Sequence, residues 1–161
     1  MTAFEPSPLP SVPQAVRTRL DTTIGDRVRT GPQVSLRRTD VDCGAESTAT
    51  MLALAGEIDA SNSAWLTVRL SAMITSASTG HAGAAPSSGV VIDLRRVRFC
   101  DASGITALVK AFKYAQDKHL VLELAGATGR VDRILRLTGI DDVLTLYPEP
   151  ADALKALCSR T

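Results

Sequence analysis

The sequence predicts an α/β fold: an open mixed sheet of about five strands packed with about four helices, behind a flexible N-terminal tail. Three observations predict it. Gly89 to Leu94 (GVVIDL) is a short continuous apolar run closed by charged residues, as expected of a central strand covered on both faces. Strand-like and helix-like patterns then alternate to the C-terminus with short connections, which favours parallel strands joined by helical crossovers. The chain is 45% apolar and 22% charged over 161 residues, the profile of one folded domain with a largely aliphatic core, since aromatics are only 4%.

Taken in order, residues 1–32 hold four of the eight prolines in their first 13 positions and few large apolar residues, so they read as a flexible tail. The spacing of Val16, Leu20 and Ile24 leaves a short docking helix open there. The domain proper is expected over 33–159. Val34–Thr39 alternates weakly and Thr50–Glu57 (TMLALAGE) more clearly, which predicts a first hairpin. Asp59 and Ser61 offer caps for an amphipathic helix over about Ser61–Ile74, with Trp65, Leu66, Leu70, Met73 and Ile74 on its buried stripe. The stretch 75–89 (TSASTGHAGAAPSSG) is small, polar and aperiodic, and predicts a long flexible loop insertion.

Beyond the central strand, Ile105, Leu108, Val109 and Phe112 follow helical spacing and predict a helix from about Ser103 to Lys118. Leu120–Leu124 is the next strand. Val131, Ile134 and Leu135 mark a helix stopped at Gly139, Val143–Tyr147 a strand, and Ala151–Cys158 a last helix.

Composition excludes several function classes. With 18 Lys+Arg against 17 Asp+Glu the formal charge is +1, so no global electrostatic footprint marks nucleic acid or anionic lipid as a partner. No apolar run approaches the roughly 20 residues of a membrane span, and the Pro-rich start lacks the pattern of a secretory signal. Cys43, Cys100 and Cys158 form no C-x-x-C pair and no Cys/His cluster, so neither zinc nor a disulfide framework is expected, and a cytoplasmic setting fits. Phosphate-loop, dinucleotide, zinc-protease and hydrolase-elbow motifs are missing, and His81 and His119 read as surface histidines. Asp93, Asp101, Asp141 and Asp142 read as turn and cap residues. No enzyme, cofactor or metal is expected.

One position stands out. Ser103 lies where the central strand turns into a helix, in the string FCDASGITALV. A Ser or Asp at such a place is ordinarily a cap. Gly104, however, leaves room for another molecule's backbone to approach, and a helix N-terminus tolerates added negative charge. A phosphoryl group on Ser103 would suit its own fold while setting a dianion beside Asp101 in any interface built around a neutral hydroxyl. Oxidation of the nearby Cys100 is a second way the same face could be disturbed.

These residues resemble the STAS domains, and within them the bacterial anti-anti-sigma factors, which antagonise anti-sigma factors. The resemblance covers about Val34 to Leu157 and rests on LALAGEID (Leu52–Asp59), VIDLRRVRFCDASGITAL (Val91–Leu108) and LRLTGIDDVLTLY (Leu135–Tyr147), in that order. It implies a STAS-type fold and a partner-switching cycle. The unphosphorylated protein would bind an anti-sigma factor, a serine kinase of histidine-kinase-like fold, and so free a sigma factor. Phosphorylation of Ser103 from ATP would end the binding, and a phosphatase would restore it. Glu57, Asp59, Asp101, Ala102 and Gly104 would fall on the same binding face. The alternatives are a constitutive STAS interaction subunit of a stress-signalling or lipid-transport complex, with Ser103 only a helix cap, and a small flavodoxin-like enzyme or nucleotide-binding domain.

Overall fold

A computed structural model of the chain describes residues 16–18, 33–44, 46–80 and 85–160. The strands are β1 (Val16–Thr18), β2 (Val34–Gly44), β3 (Ser47–Ile58), β4 (Ser87–Cys100), β5 (Val121–Ala125) and β6 (Leu146–Tyr147). The helices are α1 (Ser63–Thr79), α2 (Ala102–Asp117), α3 (Gly129–Leu137) and α4 (Pro150–Ser159), with a 3-10 turn at Ile140–Asp142. The strands lie side by side in chain order as one sheet. β1, β2 and β3 pair antiparallel, and β3 through β6 pair parallel. The hairpin followed by a parallel run is the expected architecture.

Because each parallel strand is laid down next to the one before it, crossovers of one hand place α1, α2 and α3 on the same face. Their buried stripes, including Leu66, Leu70, Leu108 and Leu135, meet Leu52, Leu54, Ile92 and Leu124 in the main core. Trp65 packs at its edge as the spacing predicts. After the last strand the chain turns back, and α4 crosses the opposite face on a much smaller cluster of five buried residues, Ala49, Val91, Ala125, Ala153 and Leu157.

Several boundaries differ from expectation. The expected tail lies outside the described residues apart from Val16–Thr18, which is extended against Thr39–Val41 where the spacing had left a helix open. The loop expected over 75–89 is shorter, because α1 continues to Thr79 and β4 begins at Ser87; His81 lies outside the described residues. The last turn of α1 hides its helical character in small residues. Thr75 and Thr79 hydroxyls bond back to carbonyls one turn earlier, Ala77 is buried, and Ser76 Oγ accepts from the buried Arg38 guanidinium at 2.9 Å. Arg38 also donates to Asp40, which takes the Thr50 hydroxyl, so a polar network ties β2 to β3 and α1. The strand expected over Val143–Tyr147 is cut to two residues, since the turn after Gly139 sends Ile140 and Leu144 into the core.

The cysteine reading is corrected outright. Cys43, near the end of β2, is disulfide-bonded to Cys158 in α4 across 115 residues of sequence. No local spacing could signal a pair that meets only because α4 crosses back over the sheet. On the chain-entropy model, closing so long a loop is worth roughly 4–5 kcal/mol.

The architecture makes the main core the seat of stability. Ile92, fully buried on the central strand, should cost about 2–5 kcal/mol as Ile92→Ala, whereas Val68→Ala, on the solvent side of α1, should stay within about 0.5 kcal/mol. Urea denaturation of the two variants checks this.

Candidate functional site

The site is built on the carboxyl ends of β3 and β4. Their parallel register sets Glu57 opposite Phe99 and Ile58 opposite Cys100, and the Asp101 N–H donates to the Ile58 carbonyl at 3.2 Å. Gly56 makes this end possible. Its φ is +111°, and a Cβ there would come within 2.1 Å of the Gln33 carbonyl oxygen, which accepts from Glu57 N–H at 3.0 Å. Only glycine allows that approach.

Beyond β3, Asp59 Oδ1 accepts from the Ser61 N–H at 2.9 Å and the Ser61 hydroxyl at 2.6 Å, forming a tight turn into α1. Asn62 locks it. Buried at 3% exposure, its amide donates to the Glu57 carbonyl at 2.8 Å and accepts from the Asp59 N–H at 3.1 Å. Sequence reasoning missed Asn62, although an Asn closing a D-A-S-N string before a helix is a turn signal. It also passed over Phe99, which stays 38% exposed beside the site.

At β4 the chain enters α2 through Asp101, whose extended backbone (φ −103°, ψ −167°) makes it the N-cap. Its Oδ1 accepts from Ser103 N–H at 2.9 Å, Gly104 N–H at 3.2 Å and the Ser103 hydroxyl at 2.6 Å. Asp101 is therefore the cap, and Ser103 sits within the first turn, half-buried, with its hydroxyl held by the carboxylate. The Ser103 hydroxyl above all holds the Asp101 carboxyl below the usual range; partial burial opposes it, and the Gly104 and Ser103 N–H groups add to the lowering.

Gly104 plays a different part from the one expected. It is buried, and a Cβ there would lie 2.5 Å from Cys100 Sγ and 2.9 Å from Ile58 Cγ2. The missing side chain makes room for the protein's own core, not for a partner. Cys100 is likewise buried, and burial, with the Asp101 charge, pushes its thiol up to about 12. A thiol so protonated and enclosed is a poor nucleophile, which argues against the oxidation reading at this position.

The structure thus gathers Glu57, Asp59, Asp101, Ala102 and Ser103 at one end of the sheet, but with separate tasks. Glu57 faces Arg98 at 3.6 Å, Asp59 serves its own turn, Asp101 caps α2, and Ala102 is exposed. Elsewhere, Asp93 is buried and clamped by Arg95 (Nη2–Oδ2 2.9 Å), and His119 is exposed in the turn after α2. Among the described residues no three His, Cys, Asp or Glu side chains cluster as a metal site would require, and no helix is long and apolar enough to cross a membrane.

A family model of the STAS domain matches residues 41–153. Among solved structures, the chain resembles an anti-sigma factor antagonist from Mycobacterium paratuberculosis at 22% identity and TM-score 0.59, covering 79% of this chain and 94% of that one. It resembles the anti-sigma factor antagonist SpoIIAA in its unphosphorylated form at 14% identity and TM-score 0.55, covering 69% and 89%. A sulfate transporter family protein from Wolinella succinogenes is similar at 21% identity and TM-score 0.50, covering 65% and 85%. At these identities the likeness is one of fold. A comparison with curated proteins found no match.

Two outcomes follow from the geometry. Gly104→Ala should destabilise by about 1–3 kcal/mol through overpacking, and Cys100→Ala in the same chain should recover part of that loss, read as a positive coupling in a denaturation cycle. Asp101 should titrate below the ordinary Asp value of about 3.9, and Ser103→Ala should move it back up, as followed by carboxyl NMR. Since the folded value is the depressed one, the stability it contributes is present above the unfolded pKa and is lost as pH falls through the folded one.

Proposed function

The chain belongs to the STAS domain family, and on that premise we propose that it is an anti-sigma factor antagonist switched at Ser103. In its unphosphorylated state it binds an anti-sigma factor, a serine kinase of histidine-kinase-like fold, and so releases a sigma factor for transcription. Phosphorylation of Ser103 ends the complex, and a phosphatase resets it. The cycle is cytoplasmic, needs no contact with nucleic acid or membrane, and gives the protein no catalytic role of its own.

The observation that carries this reading is the Ser103 hydroxyl, half-buried on the first turn of α2 and 2.6 Å from the Asp101 carboxylate. In the neutral state the hydroxyl proton bridges the two oxygens. Transfer of the γ-phosphoryl group from ATP forms an Oγ–P bond, expels ADP and removes that proton, so a donor becomes a dianion facing a carboxylate. The dianion competes with Asp101 for the N–H groups at the start of α2, where negative charge is favoured. The fold tolerates the exchange; an interface shaped around the capped, neutral arrangement does not. Ala102, exposed beside Ser103, and the acidic Glu57 and Asp59 at the end of β3 supply the contact surface in this proposal. Gly104 acts through packing, by letting α2 start close against Cys100 and Ile58.

The likeness to a sulfate transporter family protein favours a second reading, a constitutive interaction subunit in which Ser103 only supports the cap. The two differ in one measurement. Binding of the captured anti-sigma factor, titrated by calorimetry, should be unchanged within about twofold by Ser103→Ala and weakened at least about tenfold by Ser103→Glu, a difference of about 1.4 kcal/mol. Equal affinity of all three proteins would favour the constitutive subunit. Ser103→Ala should cost about 1 kcal/mol of stability or less, because Asp101 keeps both backbone cap bonds.

A further inference from the structure

We infer that the Cys43–Cys158 disulfide is a redox-reversible clasp on α4, so that a dithiol reductant frees the C-terminal helix while the rest of the domain stays folded. The helix has little else to hold it. Ten residues are too few for a stable isolated helix in water. Its buried side chains are Pro150, Ala153 and Leu157, set against Ala49, Val91 and Ala125, with Leu154, Met51 and Tyr147 only partly buried at the edge. Leu157 is seated on the bare backbone of Gly89, where a Cβ would approach its Cδ2 to 2.7 Å.

The other tie is polar and poorly matched. Arg160, just past α4, reaches Glu123 on β5 at 3.1 Å, its own side chain half in solvent. Glu123 is almost fully buried under the end of the helix, and its Oε1 has no hydrogen-bond partner among the described residues. Burial pushes that carboxyl up, and Arg160 only partly offsets it. A buried acceptor left unsatisfied opposes docking, so departure of the helix end hydrates Glu123 and relieves the mismatch. The covalent link is what holds α4 over it.

The chemistry is thiol–disulfide exchange. A thiolate of the dithiol attacks one sulfur, the other leaves as thiolate, and the second thiol of the reductant closes its own disulfide. Two electrons and two protons pass to Cys43 and Cys158. Both residues are half-buried, within reach of a small dithiol, while the third thiol, Cys100, is buried in the main core and takes no part in reshuffling. The clasp lies at the end of the sheet where Thr48 pairs with Ser87, whereas Ser103 follows the opposite end of β4. The redox event is therefore separate from the Ser103 switch and stands or falls without it.

The test is hydrogen exchange by mass spectrometry on the full chain, equilibrated with oxidised glutathione and then treated with dithiothreitol under native conditions. Alkylation in denaturant should count one free thiol before and three after treatment. Reduction should speed exchange in α4 at least tenfold more than in α2 and β4, which stay protected, and the double variant Cys43→Ser, Cys158→Ser should match the reduced protein without responding to dithiothreitol. Three free thiols in the oxidised sample, a bond resistant to native reduction, undiminished protection of α4, or loosening of α2 and β4 to the same degree as α4 would each overturn the clasp.

Discussion

The register between β3 and β4 is the constraint on which the candidate site depends. It aligns Ile58 with Cys100, and through the Asp101 N–H bond to the Ile58 carbonyl it fixes where α2 begins. From that point the rest follows by contact. Asp101 turns its carboxylate onto the first turn of α2 and captures the Ser103 hydroxyl, while Gly104 lets the helix press against Cys100 and Ile58. On the neighbouring strand the Gln33 carbonyl closes over Gly56, and Asn62 folds the chain back into α1. A single hydroxyl is thereby placed at a helix N-terminus with a carboxylate as its immediate neighbour. In the proposed cycle a phosphoryl group there would be favoured by the helix N-terminus and would set a dianion against the carboxylate.

The two faces of the sheet are built to different standards. One carries three helices on a continuous aliphatic core and gives the Ser103 end a rigid base, as the proposed switch would need. The other carries one short helix on a thin cluster, secured by a covalent link and one ionic contact to a buried carboxylate. Local stability should therefore differ across the molecule, with α4 at the lower end and α2 at the upper. Modification at Ser103 and reduction at Cys43–Cys158 would act at opposite ends of β4, one on a surface and the other on a docking contact.

The fold was legible where periodicity and length agreed. GVVIDL marked the central strand, and the stripe through Ile105, Leu108 and Phe112 marked α2, because buried aliphatics leave a repeating trace. The last turn of α1 left none, since it is held by Ser and Thr hydroxyls, one Ala and a buried Arg38 on another strand. The DASG string singled out Ser103, but not which residue caps the helix, because Asp and Ser are both good caps and only backbone geometry separates them. Gly104 suggested open space for a partner, whereas its neighbours in three dimensions, Cys100 and Ile58, are what need the room. The disulfide was invisible for the same reason: it joins segments that meet only in the folded chain.

The most direct test of the central claim is to isolate the protein from its cells, map phosphate on the peptide containing Ser103 by mass spectrometry, and titrate both forms against the captured anti-sigma factor. The account predicts a single phosphate on Ser103 and affinity at least about tenfold weaker in the modified form, a loss of about 1.4 kcal/mol or more. Ser103 left unmodified in every growth condition, or two forms that bind equally tightly, would contradict it.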